Sequence, residues 1–345
     1  MRNLIYACVF RSREYIKLFQ YLAESIAAYG EVPADTDFLV FTQPDFEEDI
    51  RRIANVDIHL CTMDSVFECG RSKLRIFEHD LSKYDKILYL DTDVLVDGPL
   101  ASIFSLDIAP DKLYALEEGV VSHEFWGGET PLFDLTLIDR NTTAFSSGVL
   151  FFRNSSEMRD LFMQMNTRID LDVYEKKIPI SGCLEQPFVN YCAIMSGRYN
   201  NQLLKSFVQN NPVNLTQGIA VYHFPGGPGW YWRKLPAMED FQKLMRGSRS
   251  LKPRLIGKTY DWGPENSITF CETHLSTFFG QVRDGNTYRA LNENVVEVYF
   301  GGFHHILVFN ETLTEFTSIR KVDFQITNCR IKNGSMRGCK EEGIP

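Results

Sequence analysis

Two aspartates follow directly on an apolar segment in the first third of the chain. The β-prone run Lys86–Leu90 ends in Asp91-Thr92-Asp93. Side chains at positions i and i+2 of an extended backbone leave it on the same side, so the two carboxylates can share one hard cation or its bound water. Two carboxylates so close repel each other without a cation, which gives the pair a physical reason to bind a metal. The alternative is a loop with two solvated aspartates.

A histidine lies near the end of a second apolar segment. His223 follows Val221-Tyr222 and precedes Pro225-Gly226-Gly227-Pro228-Gly229, a density of Pro and Gly that no helix or strand tolerates. Taken alone, such a histidine is more typical of a packed core. Combined with Asp91 and Asp93 it completes a mixed oxygen and nitrogen ligand set compatible with Mn²⁺ or Mg²⁺. The backbone amides of the loop can face phosphate oxygens.

Three further segments carry polar groups that fit a pocket. Arg71, Lys73 and Arg75 lie at the predicted start of the helix that precedes the acidic strand. They are the cations that an anionic ligand requires, or a solvated helix start. Ser146-Ser147-Gly148 opens a predicted buried strand, and Glu185-Gln186 begins a predicted helix. Glu185 alone is better explained as a favourable first-turn charge.

Alternating strand-like and helix-like patterns surround these residues. Tyr15, Leu18, Phe19, Leu22 and Ile26 recur at helical spacing between a possible cap at Ser12 and the stop at Gly30. The other predicted strands are Leu4–Phe10, Asp37–Thr42, Asp57–Leu60, Ser147–Arg153 and Ala220–Phe224, and the other predicted helices lie near Asp45–Ala54, Lys73–Leu81, Glu185–Met195 and Met238–Arg246. The pattern predicts an α/β domain over 1–250.

From about Lys252 onward the chain consists of short β-prone runs, including Ser267–Phe270, Val295–Phe300 and His305–Phe309. They predict a small β-rich domain over 251–345. This region is rich in aromatic residues, and aromatics in a small β unit favour a core over a surface that stacks on carbohydrate. The residues in question are Trp262, Phe270, Tyr288, Tyr299, Phe303, His304 and His305.

Length and composition exclude several classes of protein and of binding partner. The chain has 345 residues, 44% hydrophobic and 23% charged, which excludes a disordered protein and a coiled coil. A net charge of −9 and the absence of a long Lys/Arg block argue against a nucleic-acid partner. No apolar run reaches the length of a membrane span, and the N-terminus is too short for a signal peptide, so we expect a cytoplasmic protein. Eight cysteines without CxxC spacing do not support a zinc site.

The order and spacing of these residues resemble the nucleotide-sugar glycosyltransferases of the GT-A fold, most closely glycosyltransferase family 8. The resemblance extends from Leu4 to about Trp230. It rests on Tyr6-Ala7-Cys8-Val9, Lys73-Leu74-Arg75 ahead of Asp91-Thr92-Asp93, Phe145-Ser146-Ser147-Gly148-Val149-Leu150, and Glu185-Gln186 followed by His223-Phe224-Pro225-Gly226. It implies a Rossmann-like nucleotide-diphospho-sugar transferase domain. The implied reaction moves a hexosyl group from a nucleotide-diphosphate sugar, UDP-sugar being the family's usual donor, to a carbohydrate or glycoconjugate acceptor with retention.

The resemblance also implies a role for each matching position. Asp91, Asp93 and His223 would hold Mn²⁺ or Mg²⁺. Glu185 and Gln186 would lie near the reacting anomeric carbon, and Lys73 would contact the donor and take part in catalysis. The residues implied to bind the donor are Ala7, Cys8, Val9, Tyr15, Arg71, Lys73, Thr92, Ser147, Gly148 and Gly226.

Two positions depart from the family pattern. Ser146 stands where the family usually has Asn, which alters a hydrogen bond expected to recognise the sugar. Gly229 stands where the family's loop supplies a lysine to the diphosphate, and Arg233 and Lys234 are the nearby cations that can replace it. These changes concern the identity of the donor more than the fold.

Two other functions remain open from the sequence. An inactive sugar-binding protein of the same fold is supported by the missing loop lysine. A haloacid-dehalogenase-like phosphatase also places Asp-x-Asp after an apolar strand. That strand normally lies near the start of the phosphatase fold, whereas here it is about the fourth, and no partner motifs follow Val94-Leu95.

Overall fold

The computed structural model describes residues 1–123, 126, 138–180, 182–227, 229–262, 266–278, 286–324 and 326–331. Pro228, in the Pro- and Gly-rich segment after His223, lies outside the described residues. The chain forms two compact units, Met1–Glu239 and Asp240 to the C-terminus. The domain boundary at residue 250 stays a prediction, because the helix Tyr231–Ser250 runs through both proposed limits.

A seven-stranded sheet forms the centre of the first unit, in the order β3-β2-β1-β4-β7-β6-β8. Its strands are β1 Arg2–Val9, β2 Thr36–Thr42, β3 Asp57–Leu60, β4 Tyr84–Leu90, β6 Leu113–Val120, β7 Thr143–Arg153 and β8 Tyr199–Asn200. Strands β1 to β4 are parallel, whereas β7 runs antiparallel to β4 and β6. The mixed α/β class predicted from the alternating pattern is confirmed.

Helices pack on both faces of this sheet, which lies between two apolar clusters. They are α1 Arg13–Tyr29, α2 Glu47–Ile53, α3 Val66–Arg71, α4 Leu100–Phe104, α5 Ser156–Ile169 and α6 Gln186–Met195. A further helix, α7 Tyr231–Ser250, follows them along the chain. In α1 the predicted apolar face is confirmed, since Leu18, Phe19 and Leu22 are fully buried. Ser12 precedes this helix, but its hydroxyl makes no capping hydrogen bond.

A small second sheet connects the acidic segment to the histidine segment. It has the order β5-β10-β9, with β5 at Val94–Val96, β9 at Val208–Asn210 and β10 at Val221–His223. His223 is paired with Val94 on the antiparallel side and with Asn210 on the parallel side. This pairing brings distant parts of the chain to the carboxyl end of β4.

The structure corrects two helix predictions. The segment predicted as a helix over Lys73–Leu81 is α3 followed by a 3₁₀ helix, Ser72–Glu78. Ser65 starts the helix early, because its side chain accepts a hydrogen bond from the backbone N–H of Glu68. Helix α7 is longer than the predicted Met238–Arg246, and Pro236 lies inside it.

The second unit is β-rich, as predicted. After the short helix α8, Lys252–Leu255, it forms an antiparallel sheet of eight strands in the order β13-β12-β11-β18-β17-β16-β15-β14. The strands are β11 Thr259–Asp261, β12 Ser267–Phe270, β13 Leu275–Phe278, β14 Thr287–Ala290, β15 Val295–Phe300, β16 Phe303–Phe309, β17 Glu315–Arg320 and β18 Ile326–Ile331. Phe270 belongs to the apolar core of this unit and Trp262 packs against that core, whereas Tyr299 and Phe303 are exposed.

Candidate functional site

The predicted metal ligands meet at the end of β4. One ligand atom from each of Asp91, Asp93 and His223 lies within 4.8 Å of the others. Backbone hydrogen bonds fix the segment, since Asp91 N–H donates to Gly148 O at 2.8 Å and Phe224 N–H donates to Asp93 O at 2.9 Å. Asp93 and His223 are almost fully buried. The geometry therefore assembles the ligand set that the sequence could only place on separate segments.

Gly148 makes room for the imidazole of His223. A Cβ atom at position 148 would lie 2.3 Å from His223 Cε1 and 2.4 Å from Nε2, distances that no real side chain tolerates. The glycine predicted to bind the donor thus also sets the position of the third predicted ligand. Any larger residue would have to displace the ring.

The donor set fits a divalent cation. Asp93 Oδ1 is buried and accepts no hydrogen bond from any described residue, and it lies 3.5 Å from His223 Nε2. A buried carboxylate oxygen without a partner is costly, and a cation removes that cost. Two carboxylates with one imidazole suit Mn²⁺ or Mg²⁺ better than softer metals.

Lys234 reaches the same carboxylate from the first turn of α7. Its Nζ lies 2.6 Å from Asp93 Oδ2, and the side chain is largely buried. Burial acts to raise the pKa of the Asp93 carboxyl, but the Lys234 ammonium and His223 more than offset it, so that this pKa lies below its ordinary value. Of the two cations that the sequence offered as substitutes for the absent loop lysine, the structure brings Lys234 to the site.

A second buried ion pair, Lys73 with Glu185, lies beside Asp91. Lys73 Nζ is 2.8 Å from Glu185 Oε1 and 3.6 Å from Asp91 Oδ1. Ser147 Oγ donates to Glu185 Oε1 at 3.0 Å, and Ser147 N–H donates to Gln186 Oε1 at 2.9 Å. Burial acts to lower the pKa of the Lys73 ammonium, but the two carboxylates outweigh burial and raise it. The structure thus brings Lys73, Ser147, Glu185 and Gln186 together beside Asp91.

The residues predicted to hold the nucleotide lie around the first strand. Ala7 and Val9 are fully buried in the core, so they can offer a ligand only backbone atoms. The hydroxyl of Tyr15 accepts a hydrogen bond from Gly229 N–H at 3.2 Å and ties α1 to the glycine-rich loop. Burial raises the pKa of the Cys8 thiol. Thr92 is buried between the two aspartates.

Arg71 has a different environment from the one predicted. Its guanidinium lies 2.7 Å from Asp170 Oδ1 and 3.4 Å from Glu68 Oε1, and its Nε donates to Asn166 Oδ1 at 2.9 Å. These contacts join α3 to α5 and the turn after it. Among the described contacts, none brings Arg71 to Asp91, Asp93 or His223.

Two residues near the ligands were not found from the sequence. Asn210 Oδ1 lies 2.9 Å from His223 Nδ1, and Glu118 lies close enough to Ser146, Asn210 and His223 to interact electrostatically with them. Neither belongs to a motif with recognisable spacing. Their positions follow from the pairing of β9 with β10 and from an irregularity in β6.

Comparison with known proteins agrees with this geometry. Residues 72–235 match the family model described as "Glycosyl transferase family 8", a range that contains the two aspartates, the histidine and both buried lysines. Over this range the chain is similar to glycosyltransferase family 8, and the unit that contains the range is a mixed α/β domain. A comparison with curated protein sequences finds no significant match.

Several solved structures are similar to this chain. The bifunctional glycosyltransferase WbbM aligns with 14% identity and a TM-score of 0.48 over 69% of this chain and 49% of its own. The chain thus spans about half the length of that protein. The galactosyltransferase LgtC, solved with donor and acceptor sugar analogues, aligns with 17% identity and a TM-score of 0.45 over 69% of this chain and 95% of its own. Mouse xyloside xylosyltransferase 1 aligns with 9% identity and a TM-score of 0.45 over 65% and 98%.

Within the described ranges, none of the helices combines the length and the apolar character needed to cross a bilayer.

Proposed function

We propose that this protein is a glycosyltransferase that transfers a hexosyl group from a nucleotide-diphosphate sugar, a UDP-sugar in the first instance, to a carbohydrate or glycoconjugate acceptor with retention. Asp91, Asp93 and His223 hold a divalent cation, Mn²⁺ or Mg²⁺, in this proposal. The observation that carries it is the buried Asp93 Oδ1 without a hydrogen bond, set between a second carboxylate and an imidazole.

The charges around this oxygen match a diphosphate ester. Lys234 lies at Asp93 Oδ2 and Lys73 lies near Asp91, so two buried ammonium groups flank the candidate cation site. Clusters of buried ionisable groups with shifted pKa values are typical of functional sites. A diphosphate brings the negative charge that a bound cation and two lysines require.

The leaving group is stabilised by the same residues. Transfer breaks the bond between the anomeric carbon and a diphosphate oxygen, and the electron pair stays on that oxygen. A bound divalent cation supplies charge neutralisation for the departing diphosphate. The Lys234 ammonium adds a second positive charge in a water-poor setting, where it lowers the energy of the transition state more than that of the ground state.

The sugar is placed beside Lys73, Ser147, Gly148, Glu185 and Gln186 in this proposal. Glu185 Oε1 is engaged by Lys73 and Ser147, and its Oε2 lies against Gly70, where a Cβ would be only 2.5 Å away. These contacts support a charge-pairing role for Glu185. They favour attack by the acceptor hydroxyl on the leaving-group face over a covalent intermediate on this carboxylate. The acceptor proton then passes to the departing diphosphate oxygen.

The nucleotide lies over the carboxyl end of β1 in this proposal. Backbone groups of Ala7, Cys8 and Val9 contact the base and ribose, and Tyr15 closes this side through its bond to Gly229. Thr92 and Gly226 line the diphosphate path. Arg71 contributes indirectly, because its bonds to Asn166 and Asp170 fix the segment that carries Lys73.

Calorimetry with a panel of UDP-, GDP- and TDP-sugars, each with and without Mn²⁺, tests the proposal. We expect one nucleotide class to bind, binding to require the metal, and Asp91→Ala to abolish it. Asp160→Ala, an exposed aspartate on α5, is the matched control and retains binding.

The alternatives predict other results. An inactive sugar-binding protein would bind the donor with metal but release no nucleotide during incubation with acceptor sugars. Failure of every nucleotide sugar to bind would overturn the proposal and would make phosphatase substrates the next ligands to test.

A further inference from the structure

Asn210 and His223 face each other across the parallel pair β9 and β10. The side-chain oxygen of Asn210, Oδ1, lies 2.9 Å from His223 Nδ1. A carbonyl oxygen only accepts hydrogen bonds, so the proton of this contact belongs to Nδ1. A neutral imidazole carries one N–H, and its Nε2 is therefore left with a free lone pair.

The Asn210 amide presents its oxygen to the imidazole. Its nitrogen is buried and has no hydrogen-bond partner among the described residues, so the contact with His223 is the one that orients this side chain. Glu118 lies near the same group, and burial raises the pKa of its carboxyl.

An irregularity in the main sheet brings Glu118 to this place. Glu117 pairs with Phe145 and Val120 with Thr143, so β6 has one residue more than β7 between these pairs. Gly119 takes up the extra residue with a φ of +62°, which favours glycine. Such a bulge re-aims the side chain beside it, and bulges recur next to active sites.

With the proton on Nδ1, His223 Nε2 and Asp93 Oδ1 face each other, and each has a free lone pair. His223 Nε2 lies 3.5 Å from Asp93 Oδ1, which accepts no hydrogen bond from a described residue. The opposite tautomer would place a proton on Nε2 between these atoms and would satisfy the carboxylate without a cation. The hydrogen bond that His223 Nδ1 donates to Asn210 Oδ1 disfavours that tautomer.

We propose that Asn210 is a positioning residue that holds His223 as the Nδ1–H tautomer and so presents the Nε2 lone pair to the divalent cation. The proposal rests on the cation site of the proposed function. Hydrogen bonds of this type to the second ring nitrogen orient metal-binding histidines and typically change metal affinity 10- to 100-fold when removed.

The test measures the tautomer in the metal-free full chain. Nitrogen-15 NMR of labelled histidines, recorded about 2 pH units above the ordinary imidazole pKa of about 6.5, shows which ring nitrogen carries the proton. His223→Gln assigns the signals among the seven histidines. We expect Nδ1–H for His223 in the wild type and in Asn210→Asp, which keeps an acceptor, and loss of this preference in Asn210→Leu.

Mn²⁺ affinity, followed by the electron paramagnetic resonance signal of the free ion, is the second readout. We expect Asn210→Leu to weaken binding roughly 10- to 100-fold, and Asn210→Asp to retain it. Gln209→Leu is the matched control, because Gln209 lies on the same strand and its side chain bonds to Thr216 instead.

Each contrary result has a distinct meaning. An Nε2–H tautomer in the wild type, or an unchanged tautomer and Mn²⁺ affinity in Asn210→Leu, overturns the positioning role while the cation site stands. A wild-type chain that has the Nδ1–H tautomer but binds no Mn²⁺ overturns the cation site, and with it both proposals. The NMR spectrum distinguishes a missing cation site from a missing hydrogen bond between Asn210 and His223, because only the missing hydrogen bond changes the tautomer.

Discussion

The two units of the molecule bury different kinds of polar groups. The described part of the first unit buries ionised side chains, among them Lys73, Asp93, Glu185 and Lys234. The described part of the second unit buries no Asp, Glu, Lys or Arg. Its buried polar residues are Gln242, Thr259, Thr277, Asn286, His305 and Ser318. Both units have well-formed apolar cores, so a core alone does not require buried charge.

Buried charges within the first unit also differ from one another. Asp172 accepts hydrogen bonds from Arg168 and Lys176 on its two oxygens, so it is satisfied by the fold. Asp93 has Lys234 on one oxygen and no described partner on the other. Since an incompletely paired buried charge destabilises the fold, its presence points to a ligand.

The largest expected effect comes from removing the charge of Asp93. Asp93→Asn deletes a proposed cation ligand and leaves the Lys234 ammonium without its partner. We expect the rate of sugar transfer to fall on the order of 10²- to 10³-fold, measured as nucleotide release from the donor identified by calorimetry.

Asp323→Asn in the second unit provides the comparison for this substitution. Asp323 pairs with Arg320 at the surface. Its loss should leave transfer within about 2-fold of the wild type, because exposed pairs contribute little. Equal rates for Asp93→Asn and the wild type in the presence of Mn²⁺ would remove Asp93 from the site.

The largest effect on stability, as distinct from activity, is expected from breaking the buried pair of Lys73 and Glu185. Lys73→Met leaves an unpaired buried carboxylate, which should lower the free energy of unfolding by about 3–5 kcal/mol. Urea denaturation measures this loss, and adding Glu185→Gln should recover part of it.

Arg289→Met is the matched change in the second unit. Arg289 pairs with Glu297 at 2.6 Å but is 41% exposed, so we expect a loss below about 1 kcal/mol. Equal losses of unfolding free energy for Lys73→Met and Arg289→Met would contradict the difference in buried charge between the two units.

The smallest expected effect concerns pH. Burial lowers the pKa of His305. The charges of Arg320 and His304 lower it further, whereas the charge of Asp323 raises it. As the pH falls below the unfolded value of about 6.5, the unfolded chain takes up a proton that the folded unit resists, so stability decreases. The Asp93 carboxyl, with its lowered pKa, stays ionised over this interval.

Hydrogen exchange of the intact chain localises this pH effect. Between about pH 7.5 and 5.5 the amides of β15 and β16 should lose protection relative to His305→Gln, while those of β1 and β4 should not. A parallel pH response in the wild type and in His305→Gln would show that His305 is not the cause.

The sequence predicts those features that depend on local pattern. The apolar period of α1, the strand before Asp91 and the Gly-Pro break after His223 are all local, and the structure has them. Asn210 and Glu118 were missed, because their contacts depend on strand register and on one extra residue in β6. Lys234 was named only as a substitute for Gly229, because nothing in its spacing shows that a helix directs it to Asp93.

The long stretch of chain between the two aspartates and His223 has a consequence for folding. Asp91 follows β4, Gly148 is in β7 and His223 ends β10, and backbone hydrogen bonds link each of these segments to another. Contacts between such distant segments form late, because long loops must close first. A nascent chain therefore cannot assemble the three-ligand group until His223 has been synthesised, and metal affinity should appear only with the last step of folding.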